Sequence, residues 1–290
     1  MPSFTIQPRG PFSLAAAERF LGGWEATAGA QPSEGGLRVG FRVDDWRGAA
    51  GLLVRQEAAD EPVFATLVAT DGTVDEARVQ RQLARVLSLD HDGAGYVEVG
   101  ERDLVIRRLQ GESGYLRPVL FNSPYEAACW AIVSARLHHR QARRIRSAMS
   151  AQLVVDGAPL EVFPAPGELL ARDAIPGLAT EKVARLHGIA RAALEGALDR
   201  ERLLALPVEE AVADVQRLRG IGPFWATLIV VRAVGPTDAF TGGEPRCRAA
   251  AAAAYGRPEL AEDDDAYAAV AETWRPYRTW VSVLVRATAG

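Results

Sequence analysis

Leu218–Arg248 reads LRGIGPFWATLIVVRAVGPTDAFTGGEPRCR, and the fold turns on how this stretch is understood. Gly220 and Gly222 stand two apart, where glycine permits positive φ and close backbone approach. Ile221 between them can plug down onto flanking helices, and Pro223 at a first helical position gives up no needed N–H. The expected product is a helix, a tight turn, and an apolar helix from Pro223. Such a turn directs free backbone amides at a helix N-terminus, a favourable place for a phosphate. An ordinary tight helix–helix connection has the same look, so the residues beyond the turn decide between the two.

Sixteen residues beyond Gly222 comes Asp238, then Phe240, then Glu244-Pro245. The succession LxGIGxxxA, apolar helix, DxF and an acid four residues later resembles the helix-hairpin-helix DNA glycosylases. Within them it is similar to the 3-methyladenine DNA glycosylase II, or AlkA-like, branch. That resemblance implies excision of damaged bases and puts the family's catalytic Asp where this chain has Glu244. The double-stranded DNA partner, carrying a damaged base, is likewise what the resemblance implies.

Outward from this stretch, composition sets bounds. With 290 residues, 48% apolar and 24% charged, the chain can bury a substantial core over two or three subdomains. Net charge is −4, so the molecule has no general attraction for polyanions and DNA contact requires a local basic patch. Cys129 and Cys247 have neither CxxC spacing nor a histidine cluster, which argues against zinc or iron–sulfur sites; no cofactor is expected. The opening MPSFTIQPRGPFSL lacks a basic n-region and apolar h-region, and no apolar run approaches a membrane span of about 18 residues. A cytoplasmic monomer without a membrane partner is expected.

Residues 1–115 read as an α+β sheet unit. Phe4–Ile6 suits an edge strand, Leu14–Leu21 a short helix, and Leu37–Val43 alternates as a half-buried strand. Gly51–Arg55 and Val63–Ala69 add strands, and Val74–Leu87 has helical spacing. Together they suggest an antiparallel sheet with helices on one side. The family resemblance reaches this part only through FTIQPRGPFSL and implies an auxiliary sheet domain.

Residues 116–290 read as a mostly helical domain, with the hairpin at about 208–234 and a closing C-terminal helix. One long helix is expected from Tyr125, with Asn122 or Ser123 as cap and Pro124 at its start. Along it Arg136, His138, His139, Arg140, Arg143, Arg144 and Arg146 form a dense basic stretch, where phosphate contacts should concentrate. A solvated helix face is the plainer reading. The resemblance places at Ala135-Arg136-Leu137 the element that fills the gap left by a flipped base, with either Arg136 or Leu137 as the wedge. A hairpin turn is expected at Asp156-Gly157, a helix over Lys182–Leu198, and the first helix of the hairpin-helix pair over Val208–Leu218.

The DNA-contact candidates are therefore Gly220, Ile221, Gly222, Arg136, Leu137, His139, Arg140 and Arg219. Relatives that also cut the strand carry a lysine where this chain has Phe224, so the resemblance implies hydrolysis without lyase chemistry. Phe224 and Trp225 are candidates to stack on a flipped base, or to pack the core. The resemblance also implies a structural Na or K ion held by carbonyls of Gln216, Leu218 and Ile221.

Asp238 and Glu244 are the catalytic candidates, although Asp238 can instead hydrogen-bond backbone in its own turn. Glu244, before Pro245, is expected at or beside a helix N-cap, where the dipole favours an ionised carboxylate. There it can stabilise a cationic sugar and orient or deprotonate water. Glu for Asp adds a methylene, a displacement on the order of 1 Å that can cost about 10²-fold; Gly242-Gly243 can supply the compensating backbone shift. Trp274, Pro276, Tyr277, Arg278 and Trp280 resemble the family's closing segment, and Val285-Arg286 stands where relatives present an aromatic to the base. The expected activity is a monofunctional glycosylase for alkylated bases of the 3-methyladenine type, the alternative being a catalytically impaired lesion-binding protein of the same fold.

Overall fold

The computed structural model describes residues 1–22, 30–33, 35–240, 242 and 244–288. Its first elements are β1 (Ser3–Ile6), α1 (Leu14–Gly22), β2 (Ala30–Ser33), β3 (Gly36–Arg42), β4 (Gly48–Arg55), β5 (Val63–Gly72) and α2 (Glu76–Val86). The strands form an antiparallel sheet in the order β1-β5-β4-β3-β2, with the expected edge strand at Phe4 paired to Ala65. Leu37, Val39 and Phe41 alternate toward one face, where Leu14, Leu21, Val79, Leu83 and Val86 of α1 and α2 cover them. Asp75 starts α2 by accepting the Ala77 and Arg78 amides at 2.9 and 3.1 Å. β2 was not legible, since AQPS lacks alternating apolar residues; its pairing with β3 supplies the order.

Next come α3 (Tyr96–Arg102), α4 (Leu104–Ser113), α5 (Pro124–Ser134), α6 (His139–Met149), β6 (Ala151–Val155), β7 (Ala158–Val162), α7 (Pro166–Leu170), α8 (Thr180–Leu194) and α9 (Arg200–Leu204). The β6–β7 hairpin turns at Asp156-Gly157, as expected, and lays Leu153, Val155, Leu160 and Val162 near Ala49 on the sheet's second face. The chain ends with α10 (Val208–Gln216), α11 (Pro223–Ile229), a π-helical segment Val230–Val234, α12 (Pro245–Tyr255), α13 (Asp264–Glu272) and α14 (Arg278–Thr288). The architecture is α+β.

Two helical cores position the site. Buried α5 is packed by α6, α8, α10 and α11. A second core joins α3 and α4 to α12, α13 and α14 around Tyr96, Trp274 and Trp280. None of the described helices is long and apolar enough to cross a membrane.

One expected element is corrected: the single helix from Tyr125 is two helices, broken between Ser134 and His139. Lys182 of α8 donates its ammonium to the carbonyls of Val133 and Ala135, at 2.9 and 2.6 Å, which ends α5 without glycine or proline. Arg136 then adopts a left-handed φ of 58°, and Nδ1 of His138 accepts the Arg140 amide to start α6. A partner 47 residues away made the break, so local sequence could not announce it.

Candidate active site and nucleic-acid interface

The hairpin is built by α10, a turn and α11. Ile221 is buried in the α5 core, as its place between the glycines suggested, and its amide bonds the Leu218 carbonyl at 3.0 Å. The two glycines do different work. Gly220 has φ +96°, and a Cβ there would lie 2.8 Å from Ile132 Cδ1 and 3.0 Å from Arg185 Cδ. Gly222 has φ −87°, and a Cβ there would meet nothing within 4 Å. The fold therefore demands glycine at 220 and leaves 222 open to approach from outside. Gly222, Arg219 and Gln216 are exposed at the turn, and a groove of about 330 Å³ beside it is lined by Glu181, Arg185, Arg217 and Arg219.

Phe224 stands 55% exposed at the start of α11, with Trp225 edge-on at 5.5 Å. Trp225 is partly buried and packs on the α5 core, so the solvent-facing ring of the pair is Phe224. Past the π-helical segment, the chain turns at Gly235 with φ +81° and enters the loop that carries both candidate acids.

Asp238 is held across the fold rather than within its own turn. Its carboxylate accepts Arg278 Nε at 2.8 Å, Arg278 Nη2 at 3.0 Å and Arg275 Nη1 at 2.9 Å, and also the Arg278 amide at 3.1 Å. The neighbouring Ala239 amide bonds Thr279 Oγ1 at 2.8 Å, and the Thr279 amide bonds the Thr237 carbonyl at 3.0 Å. The loop is thus fastened to the start of α14. Phe240 comes next, stacked on Tyr267 at 5.9 Å and with the Arg278 guanidinium 5.9 Å from its ring centroid.

Glu244 is the N-cap of α12, as its place before Pro245 implied. Its carboxylate accepts the Cys247 amide at 2.7 Å and the Arg246 amide at 3.3 Å, so the added methylene of Glu still reaches the helix end. It remains partly exposed. Of the paired glycines before it, Gly242 lies against the Phe240 ring, and Gly243 lies outside the described residues. Cys247 itself is buried; its sulfur contacts Tyr267 Oη at 3.3 Å and the Ser282 carbonyl at 3.6 Å, which ties α12 to α13 and α14.

The basic stretch divides in two. Arg136, His139, Arg140, Arg143 and Arg144 are exposed in or after the α5–α6 break, while Leu137 is half-buried against the α5 core. Arg146 points inward instead: its guanidinium bonds Glu126 and Glu161 and lies over the Phe163 ring. The expectation that Arg146 contacts phosphate is therefore corrected, because Glu126 is buried and needs the opposite charge. Beneath the break, burial together with Arg185 and Arg136 pulls the Lys182 ammonium below its usual range. The sequence reading missed Lys182 and Arg275 as site-building groups, and it named Arg278 in the closing segment without its partner Asp238. Their partners are 37 to 49 residues away, and no local spacing joins them.

No family model matches the chain. A DNA-3-methyladenine glycosylase of Bacillus subtilis (strain 168) is 27% identical over 161 residues, covering 52% of this chain and 53% of that protein. The chain thus spans about half the length of this curated relative. Among solved structures, the 3-methyladenine DNA glycosylase from Archaeoglobus fulgidus matches with a TM-score of 0.76 and 20% identity, over 99% of this chain and 98% of that one. The 8-oxoguanine glycosylase/lyase of Clostridium acetobutylicum, in complex with double-stranded DNA, matches at 0.61 and 14% identity over 90% and 87%. The fold is the one these glycosylases share, and the resemblance carried by the 218–248 stretch leads to the same proteins.

Proposed function

We propose that this chain is a DNA glycosylase that hydrolyses the N-glycosidic bond of alkylated bases of the 3-methyladenine type. The observation that carries this reading is a carboxylate, Glu244, held by two backbone amides at the start of α12. Its loop follows α11 and the π-helical segment, which begin at a hairpin turn left open at Gly222. The turn's open glycine admits a phosphate to the backbone, and exposed Arg219, Arg140 and His139 supply further contacts to the duplex. Arg136, exposed and left-handed at the α5–α6 break, inserts where the damaged base swings out. Leu137 backs it from the core.

In the cleft, Phe224 offers a ring to the flipped base and Trp225 buttresses that ring. The sugar C1′–N bond breaks with its electron pair leaving on the base. Glu244 faces the cationic sugar, takes a proton from the attacking water, and so completes hydrolysis. Asp238 holds the loop in place through Arg278 and Arg275, with no lone pair aimed at a reactant. Strand cleavage would need an amine. Lys182 is the only lysine in the chain, and its Nζ is committed to two carbonyls. A monofunctional enzyme is the consequence of this reading, and we propose that it acts as a monomer. The carbonyls of Gln216, Leu218 and Ile221 suit a monovalent cation, since Leu218, having accepted one amide, keeps a lone pair. Such an ion would stiffen the turn.

The test is base release from alkylated duplex DNA by the wild type and by Glu244→Gln. Gln keeps an oxygen to cap α12, so folding survives while release falls by about 10²-fold or more. Absence of release by either protein, with abasic-DNA binding retained, would overturn the enzyme reading.

A further inference from the structure

Resting on that reading, we propose that Lys182 is a positioning residue for base flipping: it latches the turn that presents Arg136 and so keeps the wedge aimed at the duplex. Ser134-Ala135-Arg136-Leu137 is a tight turn closed by the Leu137 amide on the Ser134 carbonyl at 3.0 Å. Ala135 has φ −53° and ψ 121°, and Arg136 has φ +58°. Those angles belong to a type II turn, whose third position normally goes to glycine or asparagine because φ is positive there. A type I turn joins the same ends with the central peptide rotated by roughly 150° and with φ near about −90° at the third position. Arginine by itself favours that second form.

The central carbonyl holds the first form. It belongs to Ala135 and accepts the Lys182 ammonium at 2.6 Å, while the same nitrogen reaches the Val133 carbonyl at 2.9 Å. Rotating the Ala135–Arg136 peptide would carry its oxygen away from Nζ and break a charge-assisted bond. The latch is also braced against the phosphate grip. Three residues along α8, the Arg185 side chain lies against the hairpin turn, where a Cβ at Gly220 would be 3.0 Å from Arg185 Cδ. Lys182 and Arg185 share a helix face, so one turn of α8 sets the wedge turn and the hairpin turn relative to each other. With the latch closed, Arg136 meets the duplex already aimed. With it open, the turn relaxes, and each flipping event must first reverse it. The penalty falls on expelling a paired base and spares bond cleavage at C1′.

The test is single-turnover release of 7-methylguanine from two duplexes. One has cytosine opposite the lesion and the other a tetrahydrofuran abasic analogue, which leaves no base pair to break. Lys182→Met keeps the aliphatic stem and removes the donors. It should slow release from the paired lesion by about tenfold, as the aimed turn becomes a minor state, and from the unpaired lesion by about twofold or less. In an Arg136→Ala background Lys182→Met should add nothing, since the latch acts through that side chain. Equal losses on the two duplexes, or additive effects of the two substitutions, would overturn the proposal. Lys182 is the only lysine in the chain and is partly exposed, so acetylating the folded wild type, with the modified Nζ verified by mass spectrometry, repeats the test without folding a variant. The same selective loss is expected, and an unchanged ratio of the two rates also overturns the latch. A wild type that releases no base from either duplex is a different outcome, because it removes the glycosylase reading and this proposal with it.

Discussion

Asp238→Asn separates holding a loop from doing chemistry. The wild-type carboxylate takes two bonds from Arg278, one from Arg275 and one from the Arg278 amide. Breaking a fully buried ion pair costs about 3–5 kcal/mol. Here the Arg278 side chain is 11% exposed and Asp238 21%, so solvent screens part of the pair. Arg278 also keeps Glu272 at 2.8 Å, and Arg275, half exposed, adds little. The net cost expected is about 2 kcal/mol, or a fall of about 3 °C in Tm for a chain of this size. Because the loop ends in Glu244, its release from α14 should also slow base excision by about 10²-fold, the penalty of a displacement near 1 Å. Calorimetry and single-turnover release are measured together on Asp238→Asn, Arg278→Met and the double variant. The two substitutions should be strongly non-additive in both readouts. Additive effects, or a Tm within about 1 °C of wild type, would refute the clamp.

The two hairpin glycines should part company. Gly220→Ala forces a left-handed alanine against Ile132 and Arg185 and costs about 1–3 kcal/mol by urea unfolding, whereas Gly222→Ala leaves stability within about 0.5 kcal/mol and weakens duplex binding by about tenfold. The basic stretch should divide likewise. Arg146→Ala strands buried Glu126 and costs about 3–5 kcal/mol, while Arg140→Ala leaves the melt unchanged and lowers the salt slope of DNA binding by about one.

Some of this molecule is written in short stretches of its sequence. The hairpin turn, the β3 alternation, the Asp156-Gly157 turn and the Glu244 cap all come from rules that act over two to eight neighbouring residues. Such interactions depend on backbone geometry alone, so residue type and spacing suffice to find them. The 218–248 stretch also carried the resemblance that the fold then matched. The rest required the folded chain. Ala135-Arg136-Leu137 reads as helix until Lys182 arrives from α8 to take the last carbonyls. Arg146 is indistinguishable in sequence from Arg140 and Arg144, and only the buried charge of Glu126, twenty residues earlier, turns it inward. Asp238 reads as a turn residue before it reads as a catalytic acid, and Arg278, forty residues on, gives it a structural partner outside that turn. In each case a charge found its partner across the core, and the direction in which a charged side chain points is settled by that partner rather than by its neighbours in sequence.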